Sequence, residues 1–198
     1  MLLDARRLDR RAVLTVAGFL ATKLWGTNGL ALEPEVPIRL QIDLLNRVIP
    51  FDRAFPSKVN GELSILIVQD PNDTDSAQVS QRVLSELKER DTLGGYRQRP
   101  TLGRFSAIGA LVDECKRLKA GVLYVSPGLG ASIEQLATAL KGLNLLSVGA
   151  LPNQVERGLA LGFAARSGKP RILVNLKQAR LQGVDFRADF LRMAEVVG

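Results

Sequence analysis

The chain has 198 residues, 46% hydrophobic and 24% charged, with a formal net charge of +7, a composition ordinary for a globular domain. It contains no histidine and one cysteine. The first absence removes the commonest general base and metal ligand, and the second excludes an intrachain disulfide or a thiolate cluster built from one chain.

Residues 1–31 read as an export signal. A basic start is followed by an apolar stretch, Ala12 to Ala21, and then by small residues, with Gly29 and Ala31 at the −3 and −1 positions of a cut after Ala31. Arg10 and Arg11 stand as a pair before the apolar stretch, in the manner of a twin-arginine signal; an ordinary secretory signal fits equally. The competing reading is an amphipathic N-terminal helix. The apolar stretch is too short to span a bilayer, which takes roughly 20 residues, so no stable membrane insertion is expected after cleavage. The segment holds five of the basic residues against Asp4 and Asp9. The remaining Lys and Arg are scattered, which argues against a nucleic-acid partner.

Residues 32–198 read as one domain. Ile38, Ile42, Leu45 and Val48 recur at helical spacing until Pro50. "ELSILIVQD" (62–70) is a buried strand, and "PNDTD" supplies turn and capping residues before a helix over 76–90. "GGYRQRP" is a short strand after a glycine turn. A helix over 106–118 places Cys115 on its apolar stripe, as a small core residue. "AGVLYVS" is a second strand, 132–140 a helix opened by a Ser132–Gln135 capping box, "NLLSVGA" a third strand, and 152–157 a short helix. "GLALGFAARSGKPRILVNL" reads as a β-hairpin. Asn175 and Gln178 form a capping-box pattern for a short helix that Gly183 ends. Asp185 is expected to cap a last helix, with Phe186, Phe190, Met193, Ala194 and Val197 facing the core. The alternation predicts a three-layer αβα sandwich, a mostly parallel sheet with an antiparallel C-terminal hairpin at one edge.

Two loops invite chemistry. "SPGLGASIEQL" follows a strand and opens a helix, like a phosphate cradle. Ile133 stands where a dinucleotide fingerprint needs its third glycine, and Glu134 would repel an anion. A self-capped turn is the main reading. A ligand contact through Asp70, Ser126, Gly128 and Gly130 is the other, since strand carboxyl ends are where α/β sheets bind ligands. Asp70, Asp73 and Asp75 suit helix capping, or a divalent cation as the alternative. Arg97, Arg99 and Arg104 are a solvated rim or an anion clamp. No serine-nucleophile elbow is present, so neither a catalytic residue nor a cofactor is assigned.

The C-terminal third, "LLSVGALPNQVERGLALGFAARSGKPRILVNLKQARLQGVDFRADFLRMAEVV", resembles the tail of the YfiR family. Gly158, Phe163, Asn175, Ala179, Gly183, Leu191, Ala194 and Val197 fall at matching places. Leu159 departs from the family's second glycine, and Ala160-Leu161 from its Met-Ile pair. The element order from about Pro37 onward also fits. The resemblance implies a periplasmic, non-enzymatic signalling regulator. Its best-known member restrains a membrane-bound diguanylate cyclase, the maker of cyclic di-GMP, by binding its periplasmic part. The implied partner here is an inner-membrane cyclase or sensor kinase, with a homodimer as a further association. The cysteines of the best-known member are missing, so its redox regulation does not carry over. Gly158, Phe163, Asn175 and Gly183, in and around the hairpin, mark the implied partner surface; turn, core and cap roles compete with it. A periplasmic small-ligand or anion-binding module is the alternative function.

Overall fold

A computed structural model describes residues 34–198; the export-signal positions Arg10, Arg11 and Ala31 lie outside them. Its first strand, β1 (Leu63–Gln69), lies inside the sheet with every residue but the last buried. A near-continuous apolar run suits a parallel strand covered on both faces. Before it, α1 (Ile38–Val48) passes into a 3-10 turn at Ile49–Phe51, where Pro50 removes the next helical N–H. After it, α2 (Thr74–Lys88) starts on Asp73, whose carboxylate accepts from the Ser76 N–H at 2.8 Å.

A short hairpin follows, β2 (Thr92–Leu93) and β3 (Tyr96–Arg104). β3 runs further than the glycine-turn pattern predicts. β1 offers it a seven-residue parallel ladder, whereas β2 covers only Tyr96 and Arg97 on the other side. Pro100 therefore meets an open edge, where a missing N–H is tolerated. Then come α3 (Ile108–Leu118), β4 (Val122–Val125), α4 (Ile133–Ala139), β5 (Leu146–Gly149) and α5 (Pro152–Glu156). β6 (Leu161–Arg166) and β7 (Lys169–Asn175) form the predicted hairpin. Its two-residue turn, Ser167-Gly168, has φ of 50° and 72°, the hand that matches strand twist. α6 (Leu176–Leu181), a single turn α7 (Ala188–Leu191) and β8 (Glu195–Val197) complete the chain.

The eight strands lie in the order β2-β3-β1-β4-β5-β6-β7-β8. β3, β1, β4, β5 and β6 are parallel neighbours, and β6–β7 is antiparallel. Helices α1 and α2 pack on one face, against Leu63, Ile65, Ile67, Tyr124 and Phe163. Helices α3 and α4 pack on the other, against Leu66, Val68, Leu123 and Val125. This is the three-layer sandwich expected, with alternate residues of each strand facing alternate layers.

Two local readings are corrected. Ser132 does not cap α4: it lies in a 3-10 turn, Gly130–Ser132, already helical in its own backbone, and its side chain accepts no capping bond. A gradual entry leaves no extended N-cap position for a serine to occupy. The last helix is only α7, preceded by Arg187 rather than by an Asp185 cap. Phe186 and Phe190 are buried as expected, but Met193 is 62% exposed and 195–197 are strand. The β-branched Val196-Val197 meets the open edge of β7 and pairs in parallel with it, so the ladder wins over a second helical turn. The hairpin thus sits one strand inside the edge.

Candidate functional site

β1 lies between β3 and β4, so the connections that leave β1 and β4 diverge. This is the switch point at which α/β sheets place ligands. The structure brings Asp70 and Gly128 into contact there. A Cβ added to Gly128 would lie 2.8 Å from Asp73 Oδ2 and 3.1 Å from the Asp70 Cβ. The two loops close on each other, and Gly128, at φ 91°, is what lets them. Asp70 Oδ1 accepts from the Asn72 N–H at 2.9 Å, and Asp73 is committed to α2. Ser126 is fully buried; its N–H donates to Val68 O, and its Oγ has no partner. Gly130 faces Arg157, whose Nε lies 3.1 Å from Glu134 Oε1. Among the described residues, no group of three His, Cys, Asp or Glu is placed to hold a metal ion.

The polar work behind these loops is done by buried glutamines, of which sequence reading placed only Gln178, as a capping residue. Gln154 Nε2 donates to Ser126 O at 2.9 Å, and its Oε1 accepts from the Leu151 N–H at 3.0 Å. Gln41 Nε2 donates to Val36 O and Ala150 O, while its Oε1 accepts from the Tyr124 hydroxyl at 2.8 Å. Gln182 Oε1 accepts from the Ser147 N–H, and Gln178 Nε2 donates to Ala137 O. Glutamine carries donor and acceptor without charge, so it satisfies irregular backbone at no ionic desolvation cost. No spacing pattern announces such residues. Burial pushes the Tyr124 phenol far up, and it pushes the Cys115 thiol up to about 12. Both stay protonated at neutral pH and serve as packing groups.

The hairpin positions have structural duties. Gly158 takes φ 122°, and a Cβ there would lie 2.7 Å from that of Ala137. Phe163 is wholly buried. Asn175 Oδ1 accepts from the Gln178 N–H at 3.0 Å, but Gln178 does not reach back, since the Asn175 N–H is bonded to Ala160 O. Gly183, at φ 69°, follows α6, and its carbonyl accepts from Lys58 Nζ at 2.7 Å. Lys58 and Asp52 form a buried ion pair at 3.1 Å. Burial holds the Lys58 pKa below its ordinary value, and Asp52 works against that. What these positions present outward is the hairpin itself. β5 reaches only Leu161 and Gly162 of β6, and β8 only Leu173–Asn175 of β7. Beyond the buried Phe163 and Ala164, residues 165–172 form an arm that neither β5 nor β8 flanks, with exposed Arg166, Lys169 and Arg171 near its tip and Arg166 paired with Glu195 of β8.

Solved structures share this fold. A conserved domain protein from Vibrio cholerae O1 biovar El Tor aligns with a TM-score of 0.59 at 14% identity, covering 82% of this chain and 60% of that one. The ABC domain in complex with L-Trp from Streptococcus pneumoniae gives 0.58 at 10%, covering 82% and 62%. The ligand-free, open structure of a substrate binding protein with adhesive properties from Clostridium difficile gives 0.56 at 14%, covering 82% and 60%. The chain thus spans about three fifths of these structures' lengths. No curated protein matches it. A family model described as YfiR/HmsC-like matches residues 44–195, from within α1 into β8. That family is a regulatory one and not an enzyme class. The chain belongs to the YfiR/HmsC-like family.

Proposed function

We propose that the chain is an exported, non-enzymatic regulator that binds and restrains the periplasmic part of an inner-membrane signalling protein, a diguanylate cyclase or a sensor kinase. The observation that carries this reading is the family match, which takes in the whole sheet rather than one motif. Among the described residues, no helix is long and apolar enough to cross a membrane. The mechanism is a population shift. The regulator binds one state of its partner more tightly, and a signal that weakens this preference releases it. The β6–β7 arm is the surface we assign to the partner, with Gly158, Phe163, Asn175 and Gly183 fixing its base.

Affinity capture from solubilised inner membranes tests this. The wild-type chain is expected to retain a cyclase or kinase, and the double charge reversal Lys169→Glu, Arg171→Glu is expected to lose it. Recovery of no such protein counts against the regulator reading, and retention by the double variant counts against the arm.

The second reading, a periplasmic small-ligand module, draws on the unpartnered Ser126 Oγ at the switch point beside Asp70, Gly128 and Gly130. It draws also on the fold shared with a substrate binding protein and with a domain in complex with L-Trp. A thermal-shift screen separates the two. A ligand at 100 times its dissociation constant adds about 2.7 kcal/mol to stability, and Ser126→Ala should diminish that gain.

A further inference from the structure

The amino end of the sheet, opposite the loops just described, carries a group of exposed cations: Lys88, Arg97, Arg99, Lys116, Arg117 and Lys119. A cleft of about 350 Å³ lies there between β1, β3 and the end of α3, lined by Asn60, Glu62, Ser64, Arg99, Arg117 and Lys119 among others. A second cleft, of about 290 Å³, shares Asn60 and Lys119 with it and adds Lys116. A third, of about 570 Å³, shares Glu62 and adds Lys88 and Arg97. Glu62 and Asp91 are the only carboxylates among the residues lining the three.

Three observations single out the first cleft. Ser64 is 3% exposed and its Oγ has no hydrogen-bond partner, a situation that costs free energy unless something supplies an acceptor. Ser64 and Arg99 are register partners on β1 and β3, so their side chains share one face of the sheet. Lys119, which also lines the cleft, sits in the left-handed region at φ 48°, ψ 49°, just after α3, where glycine is the usual residue. Arg117 is already held by Glu114, whereas Arg99 and Lys119 form no ion pair with the described carboxylates. The available groups are donors: a hydroxyl, a guanidinium, an ammonium and the Asn60 amide N–H₂. A ligand rich in acceptors and poor in donors matches the two cations and gives the buried hydroxyl a partner at the same time.

We infer that this cleft is an oxyanion site for a phosphate group, free or carried on an ester, held by Arg99 and Lys119 with the Ser64 hydroxyl donating from the floor. Charge-assisted bonds of this kind are the strong ones. Glu62, exposed, lines both this cleft and the third, and its charge opposes an anion there. The inference does not depend on the regulator reading or on the carboxyl-end loops.

The test is an NMR amide titration of the full chain with inorganic phosphate, against sodium chloride at matched ionic strength. Saturable shifts are expected at Ser64, Arg99 and Lys119 with phosphate alone. Arg99→Gln and Lys119→Gly should each weaken binding at least about ten-fold, the loss expected for one charged hydrogen bond. Lys119→Gly should do so while keeping or raising Tm, because glycine prefers that backbone conformation. Ser64→Ala should weaken binding several-fold without loss of Tm, and Glu62→Gln should strengthen it. A second arm uses phosphatidylglycerol and phosphatidylcholine vesicles with the same variants. Binding of the anionic vesicles that falls in the same order identifies a lipid headgroup, and phosphate binding without vesicle binding identifies a free ion. Shifts equal in phosphate and chloride, or unchanged affinity in folded Arg99→Gln and Lys119→Gly, overturn the proposal.

Discussion

At the scale of single residues, the fold depends on a few buried polar groups whose partners are far away in sequence. Asp52 and Lys58 are the sharpest case, an ion pair with both side chains wholly buried. Asp52 Oδ1 also accepts from the N–H groups of Ala54 and Asp185. Asp52→Asn keeps an acceptor for those amides but leaves the ammonium without its counter-charge. Removing one member of a buried pair costs about 3–5 kcal/mol, and urea unfolding of the variant should fall by an amount in that range. Cys115 gives a second prediction. Its folded-state pKa is raised to about 12 by burial, against an ordinary 9.0. The unfolded chain therefore loses this proton first as pH rises. The associated stability is complete below pH 9.0 and is lost progressively from there toward about 12, at no more than about 1.4 kcal/mol per pH unit. The slope of stability against pH across that window should be shallower in Cys115→Ala than in the wild type. Native Cys115 should also resist alkylation at pH 8 and react once unfolded.

At the scale of elements, the strands and crossover helices were legible because their apolar periodicity decides their burial. "ELSILIVQD" and "AGVLYVS" became β1 and β4, and Asp73 and Asn175 cap the helices they precede. What misled was local pattern where tertiary pairing had the last word. The tail from Phe186 has a helical stripe, yet β7 had an unpaired edge, and 195–197 were drawn onto it. The buried glutamines other than Gln178 were illegible for a related reason, since Gln41 meets Tyr124, 83 positions away. Of the candidate site, sequence located the loops at the switch point but not their closure, because Gly128 against Asp73 is a contact between distant segments. β8 also protects the sheet. Deleting residues 194–198 leaves the β8-facing backbone groups of Leu173–Asn175 unpaired along a hydrophobic strand, an invitation to edge-to-edge association. The truncated chain should elute as larger species as its concentration rises in size-exclusion chromatography, under conditions where the full chain does not.

At the scale of the whole molecule, the sheet divides the surface into two ends with different character. The carboxyl end is closed by its own loops, and the amino end is open and cationic. The order of strands has a consequence in time as well as in space. β1 cannot be completed by anything nearby in the chain: Leu63 pairs with Gln98, and Ile65 with Val122. The loop entropy of both crossovers must be met before either ladder rewards it, which slows folding. Refolding followed by stopped-flow far-UV circular dichroism should take milliseconds to seconds, and completion in microseconds would contradict this order of assembly. Until β3 and β4 arrive on its two sides, a strand with six residues destined for burial stays uncovered. The newly made protein is therefore most vulnerable to aggregation during that interval, when this future interior strand is still a sticky, unpaired ribbon.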